Sequence, residues 1–328
     1  MPKITDIYQK REKLSRTRLE ELSRSLNKLE ELTAFPKLTI FGVGSYARLE
    51  ASAYSDIDLF FLYPGKRRDI VEPHTNEIRL FGKVIEIIDK MGLPKFSNDG
   101  QYLTILHTDD IVENLGNPTD DHANYFTARM LLLLESQCLC RNDEYTNVIA
   151  QIVSSYFKDY PDHEKTFQPT FLLNDICRFW KTLLLNYENK RKIHPESDER
   201  KTKQKVRNFK LKFSRMTTCF ASIIALGSYI APVKEEHVIE MTKLTPRERL
   251  AAAASRDPEL RPLVDKLLGQ YAWFLEMTGL PEADLIAHFR DKQSRINMFG
   301  KANDYGDTMF KLLQAVDKKD NLLRYLVI

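Results

Sequence analysis

The chain has little from which to build a metal clip, a disulfide frame or a membrane span. Its 328 residues include four cysteines, Cys138, Cys140, Cys177 and Cys219, and their spacing is not that of a zinc site. Cys138 and Cys140 stand too close together for an easy disulfide, so reduced thiols in a cytoplasmic protein are the expectation. The seven histidines are scattered without a ligand-like spacing. No run of about twenty apolar residues occurs, so no transmembrane helix is expected. The first residues, MPKITDIYQKREK, lack the apolar centre of a signal peptide. Charge of one sign is also lacking: 49 Lys and Arg against 46 Asp and Glu leave +3, which gives the chain as a whole no strong pull toward nucleic acid. Neither an internal repeat nor a low-complexity linker is seen.

What is present supports a real core. Hydrophobic residues make up 43%, charged residues 29%, and the mean hydropathy is -0.40, as in a soluble protein of one large or two ordinary domains. The informative stretch is Phe41 to Tyr63, FGVGSYARLEASAYSDIDLFFLY. Strand side chains alternate with a period of two, so a strand through Asp56-Ile57-Asp58-Leu59 turns both carboxylates to one side. Set in an apolar strand, two adjacent carboxylates are costly unless cations neutralise them. The Gly44-Ser45 turn upstream can bring backbone N–H groups and a hydroxyl against phosphate oxygens. Paired carboxylates beside a phosphate-holding turn suit metal-assisted phosphoryl or nucleotidyl transfer.

Gly44-Ser45, Arg48 and Ser55-Asp56-Ile57-Asp58-Leu59, in this order, resemble the signature of nucleotidyltransferases with the DNA polymerase β fold. Tyr46 and Glu50 extend the likeness to the bacterial branch of the PII-uridylyltransferase and its smaller relatives. The core of the resemblance spans Leu38 to Tyr63, with weaker likeness to about Asp143 and again over Asp175 to Leu226. It implies an α+β fold, in which a polymerase β-like mixed-sheet domain precedes an all-α domain. It implies Mg²⁺ (or Mn²⁺) held by Asp56 and Asp58, and an NTP such as ATP held by Gly44 and Ser45. The acceptor it points to is a protein hydroxyl. An RNA end, or a small molecule, is the alternative, and a non-catalytic nucleotide-binding regulatory module is a rival reading. Compact members of the superfamily also occur in toxin–antitoxin and phage-defence settings. The H-D dyad of the phosphohydrolase domains that accompany some large uridylyltransferases is missing here.

The expected layout has three parts: a helical segment over 1–36, the catalytic domain over 37–116 and a helical domain over 117–328. A charged helix is expected over residues 5–33, with Ile7, Leu14, Leu19, Leu22, Leu26 and Leu29 at near-helical spacing. A helix around Ile70 to Phe81, a strand near Lys83 to Ile88 and a strand near Tyr102 to Leu106 follow. Beyond Asn117-Pro118 the pattern reads as helical: Tyr125 to Ser136, Asn174 to Asn189, Lys203 to Leu226, and a helix start at Thr245-Pro246. Asp109 and Asp110 read as the N-terminal cap of a helix from Ile111 to Leu115.

The family usually supplies a third carboxylate on a later strand. Asp99, ahead of the strand at Tyr102, is the expected one. Asn98-Asp99-Gly100 is equally the chemistry of a tight turn, and Glu86 competes. Arg48 either meets the triphosphate or site carboxylates, or pairs structurally with Glu50 or Asp58. In the helical half, the pair D-I-C-R-F-W-K-T and K-L-K-F-S-R resembles the helical domain of the same relatives. On that likeness Lys181 and Lys212, with Arg178 and Arg215 beside them, are candidates to contact nucleotide phosphates; a solvated basic helix face is the alternative. Lys190 to Lys205 reads as an exposed charged loop entering a helix, able to touch nucleic acid or an acidic protein but without interleaved aromatics.

Overall fold

The first periodic stretch folds as its spacing requires. In the computed structural model, which describes residues 4–67, 70, 73–94, 96, 100, 103–192, 197–317 and 322–327, helix α1 spans Ile4–Leu26. Leu19, Leu22 and Leu26, spaced by three and four, are buried in the core. The helix expected over residues 5–33 is shorter: α1 ends at Leu26, and a separate 3-10 turn, Glu30–Ala34, follows. The chain divides into two compact units, Tyr8–Lys158 and Asp159–Ile328, the second including the N-terminal residues through Ile7.

The first unit continues with β1 (Thr39–Val43), α2 (Gly44–Ala47), β2 (Asp58–Tyr63), α3 (Pro73–Lys90), β3 (Ile105–His107), α4 (Thr108–Glu113), α5 (Pro118–His122), α6 (Tyr125–Leu134), β4 (Ser136–Cys140) and α7 (Asn142–Ser154). The four strands form one sheet in the order β3-β2-β1-β4. β1 pairs antiparallel with β2 and with β4, and β2 pairs parallel with β3. The parallel pair needs a crossover, which α3 provides. This is the mixed-sheet α+β architecture expected from the sequence. The sheet reaches Cys140, past the boundary expected at residue 116, and β4 lies in a stretch that reads as helical.

One sheet face, with Ile40, Ile57, Leu59, Phe61 and Tyr63, joins Leu19, Leu22 and Leu26 of α1 and Leu80, Val84 and Ile88 of α3 in a single core. Burying each of these aliphatic side chains contributes roughly 1.5–3 kcal/mol. On the other face, Phe41 and Phe60 stack at 5.7 Å, and Tyr145 of α7 lies 6.0 Å from Phe41. β4 is an edge strand, and α1 covers part of it. The Leu139 carbonyl accepts from Ser23 Oγ at 2.7 Å and from Asn27 Nδ2 at 2.9 Å.

The strand expected at Lys83 to Ile88 is instead the second half of α3. Its β-branched run reads locally as a strand, yet Leu80, Val84 and Ile88 recur every four residues and bury one helix face. The later strand is β3, starting at Ile105; residues 101 and 102 lie outside the described residues. Asp109 and Asp110 do not cap a helix. They sit inside the first turn of α4, where their charge favours the N-terminal end of the helix dipole.

The second unit is helical: α8 (Thr170–Lys192), α9 (Asp198–Lys210), a π-helical turn (Leu211–Arg215), α10 (Met216–Gly227), α11 (Glu235–Lys243), α12 (Pro246–Arg256), α13 (Arg261–Met277), α14 (Glu282–Arg290), α15 (Lys292–Val316) and α16 (Leu322–Val327). The start expected at Thr245 is there as a capping box: Glu248 Oε2 accepts from the Thr245 N–H at 2.8 Å, and Thr245 Oγ1 accepts from the Glu248 N–H at 3.4 Å. Phe213 stacks on Phe274 and on Tyr305 at the centre of this unit. The stripe expected on α8 is buried at Ile176 and Phe179, whereas Leu184 is exposed. The expected loop at residues 190–205 is helical on both sides of residues 193–196, which lie outside the described residues. Among the described residues no helix is long and apolar enough to cross a membrane.

Candidate active site at one end of the sheet

The pairing register brings the separated motif together. Val43, the last residue of β1, lies opposite Asp58, the first residue of β2. The Gly44-Ser45 turn therefore begins at the edge from which the Asp56-Ile57-Asp58 segment enters the sheet. On the other side of β1, Val43 pairs with Ser136, which brings Glu135 to the same end.

Gly44 has φ +75, a conformation that costs other residues energy, and beyond its chain neighbours and its own helical turn nothing lies within 4 Å of the position a Cβ would take. Gly44 is itself buried, and the position its side chain would take is left unfilled. Backbone bonds close the following turn: the Arg48 N–H donates to the Gly44 carbonyl at 3.0 Å and the Glu50 N–H to the Ser45 carbonyl at 2.8 Å. Gln137 Nε2 of β4 donates to the Ala47 carbonyl at 3.3 Å, and the Ala51 N–H donates to Ser15 Oγ of α1 at 3.0 Å. Ser55 Oγ accepts from the Ser52 N–H at 2.9 Å, so this serine shapes the loop that delivers Asp56.

Asp56 lies two residues before β2 and is exposed, while Asp58 is half-buried. The expectation of two carboxylates inside a buried strand is corrected: the intervening Ile57 and the following Leu59 enter the core, and the acids keep to the solvent side. Burial pushes the Tyr46 hydroxyl above its ordinary pKa, the Arg18 charge lowers it and the Asp56 charge raises it, so Asp56 acts electrostatically on the Gly44–Ala47 turn.

Arg48 turns into the protein. Its Nε donates to Glu50 Oε2 at 3.0 Å and its Nη1 to Glu135 Oε2 in a short contact. All three side chains are buried. Sequence reasoning missed Glu135; its signal was an acid closing the apolar run Met130 to Leu134. Glu86 is an exposed residue of α3, beside Lys83 at 3.2 Å and Lys90 at 3.9 Å, on the side of the helix away from the core. Asp99 lies outside the described residues.

Two carboxylates are a fitting donor set for Mg²⁺, which is commonly held by one or two acids together with substrate phosphates. Among the described residues, no group of three or more His, Cys, Asp or Glu converges on a metal position.

Residues 19–115 match the family model of the nucleotidyltransferase domain. The match includes Gly44, Ser45, Arg48, Asp56 and Asp58 and supports the superfamily expected from the motif. It leaves out β4 and the second unit. No curated protein and no solved structure matches the chain.

In the second unit, Lys181 lines a cleft with Asn174, Cys177, Arg178, Thr182 and Leu185 of α8 and Leu326 of α16. Arg178 reaches Asp175 at 3.4 Å. Lys212 has different neighbours: its Nζ donates to Asn303 Oδ1 at 3.0 Å and lies 5.9 Å from the Phe299 ring centre. Arg215 belongs to the same π-helical turn as Lys212 and is half-buried.

Proposed function

We propose that this protein transfers an NMP from an NTP to an acceptor hydroxyl and releases pyrophosphate, by the chemistry of the uridylyltransferase-like branch. The observation that carries the reading is the Val43–Asp58 pairing, which sets the Gly44-Ser45 turn beside the Asp56/Asp58 carboxylates. In this reading Gly44 and Ser45 hold the outer phosphates, whose approach the unfilled side-chain position at Gly44 permits. Asp56 and Asp58 hold Mg²⁺ or Mn²⁺, which when bound offsets phosphate charge and makes the acceptor hydroxyl more acidic. The acceptor oxygen bonds to the α-phosphorus, the bond from that phosphorus to the bridging oxygen breaks, and pyrophosphate takes the electron pair. The hydroxyl proton passes to a carboxylate or to water.

Arg48 acts through Glu50 and Glu135, fixing the turn rather than touching phosphate. Asp99 remains the candidate for the third carboxylate, since Glu86 is an exposed residue of α3 and Glu135 is committed to Arg48. Lys181 and Lys212 are assigned to nucleotide phosphates on the resemblance alone. The resemblance also favours a protein hydroxyl as acceptor, with an RNA end as the alternative. Incubating the protein with each labelled NTP and Mg²⁺ or Mn²⁺ tests the reading. Label on protein supports modification, label on RNA supports tailing, and nucleotide binding without pyrophosphate release would reduce the protein to a regulatory module.

A further inference from the structure

Beyond its acidic first turn, Asp198 and Glu199, helix α9 carries charge of one sign on its open side. Between Arg200 and Lys210 its buried residues are Thr202, Val206 and Phe209, spaced by four and three along a single stripe. The rest of that segment is Arg, Lys, Gln or Asn. Arg200, Lys201, Lys203, Lys205, Arg207 and Lys210 supply the cations, and no carboxylate interrupts them. Lys203 reaches Glu199 at 3.2 Å and Glu282 at 3.8 Å, and Lys201 reaches Asp198 at 4.0 Å. Among the described residues, Arg200, Lys205 and Arg207 have no carboxylate partner. Like charges one helical turn apart repel, so α9 carries an electrostatic cost that a bound polyanion would relieve. The last turn of α8, with Lys190, Arg191 and Lys192, has the same sign.

The composition of the open side selects the polyanion. It has no aromatic ring on which a base could stack. It also has no apolar side chain to form the dry centre of a protein interface. What it offers is a row of charges suited to phosphates, which give affinity without base readout. We propose that α9 binds the sugar-phosphate backbone of RNA. The choice of RNA rests on the RNA-end alternative of the nucleotidyltransferase reading above; a DNA 3′ end offers the same hydroxyl, and the DNA hairpin in the test separates the two.

The test is fluorescence anisotropy of a labelled RNA hairpin with the full chain, without NTP, across a salt series. A DNA hairpin of the same sequence and a poly-glutamate peptide are run beside it. Binding should weaken steeply with salt. The triple variant Arg200→Gln/Lys205→Gln/Arg207→Gln should bind RNA at least about tenfold more weakly, and its log–log salt slope should be shallower by about 2–3. These side chains lie outside the buried stripe, so an unchanged circular dichroism melt is expected of the variant. The wild-type salt slope reads the same surface without any substitution. Salt-independent binding, a triple variant equal to wild type, tighter binding of the DNA hairpin, or binding of poly-glutamate in place of RNA would overturn the proposal. Because NTP is left out, failure here leaves nucleotidyl transfer standing, and loss of transfer leaves the binding result standing.

Discussion

Val43 and Asp58 face each other across the first antiparallel pair of the sheet, fifteen positions apart in the chain and adjacent in the fold. The strand that ends at Val43 turns at Gly44 under a positive φ, and the strand that begins at Asp58 is entered through an exposed Asp56. The Gly44-Ser45 turn and the Asp56 and Asp58 carboxylates thus share one sheet end.

Gly44 is the sharpest test of the turn. A Val there meets the φ +75 conformation with a branched side chain and occupies the unfilled position across which a phosphate would approach. The Gly44→Val variant is expected to lose at least about tenfold in nucleotide affinity, roughly 1.4 kcal/mol. Calorimetric titration with a non-hydrolysable NTP in Mg²⁺ measures it. Equal affinity would mean that the turn does not hold the phosphates.

Arg48 bridges two buried carboxylates, and removing it leaves both without its charge. Arg48→Met should destabilise the protein by about 3–5 kcal/mol, as broken buried ion pairs do. Arg48→Lys should recover only part, because a single ammonium does not reproduce the planar fork that reaches Glu50 and Glu135 together. Urea titrations of the three proteins decide this. A change below about 0.5 kcal/mol for the Met variant would contradict the assignment of Arg48 as a structural brace.

Much of the first unit was legible in the sequence, for reasons tied to particular residues. Gly44, Ser45, Asp56 and Asp58 signalled together because their order and spacing match a known motif, and Gly44 takes the positive φ that favours glycine. The register itself was not legible, because strand pairing depends on partners far along the chain. The run of Val84, Ile85, Ile87 and Ile88 reads as a strand within a short window, and only Leu80 upstream sets the four-residue period of α3. β4 was missed because Ser136 to Cys140 follows an apolar helix without a strong break. Glu135 stayed hidden for a different reason: its role depends on Arg48, far away in sequence.

The buried thiols give a pH test. Burial raises Cys138 to about 11 and Cys140 and Cys219 to about 12, from an ordinary 9.0. Because the folded values exceed the unfolded one, the folded state keeps protons that the unfolded state releases. Stability from this source is fully present below pH 9 and is lost as pH rises toward 11–12. The melting temperature should hold from pH 7 to about 8.5 and fall above 9, and native Cys140 and Cys219 should resist iodoacetamide at pH 8 until denaturant is added. Rapid alkylation of the native protein at these two positions, read by mass spectrometry, would count against their burial.

Lys181 and Lys212 are the candidates for phosphate contact in the helical unit. A charge-assisted contact is typically worth about 1.5–3 kcal/mol. Alanine variants should weaken NTP binding far more than nucleoside binding, while Lys311→Ala, at an exposed position of α15, should change neither. If both variants bind NTP as wild type does, neither lysine meets the phosphates.

The most direct measurement is pyrophosphate release from labelled NTPs by wild type and by the Asp56→Asn/Asp58→Asn protein, in Mg²⁺ and in Mn²⁺. Because Asp56 is exposed and Asp58 half-buried, the double variant should fold and melt close to wild type. The account predicts nucleotide-dependent release by wild type and none by the double variant. Release that continues undiminished in a folded double variant would contradict the assignment of these carboxylates as the site of nucleotidyl transfer.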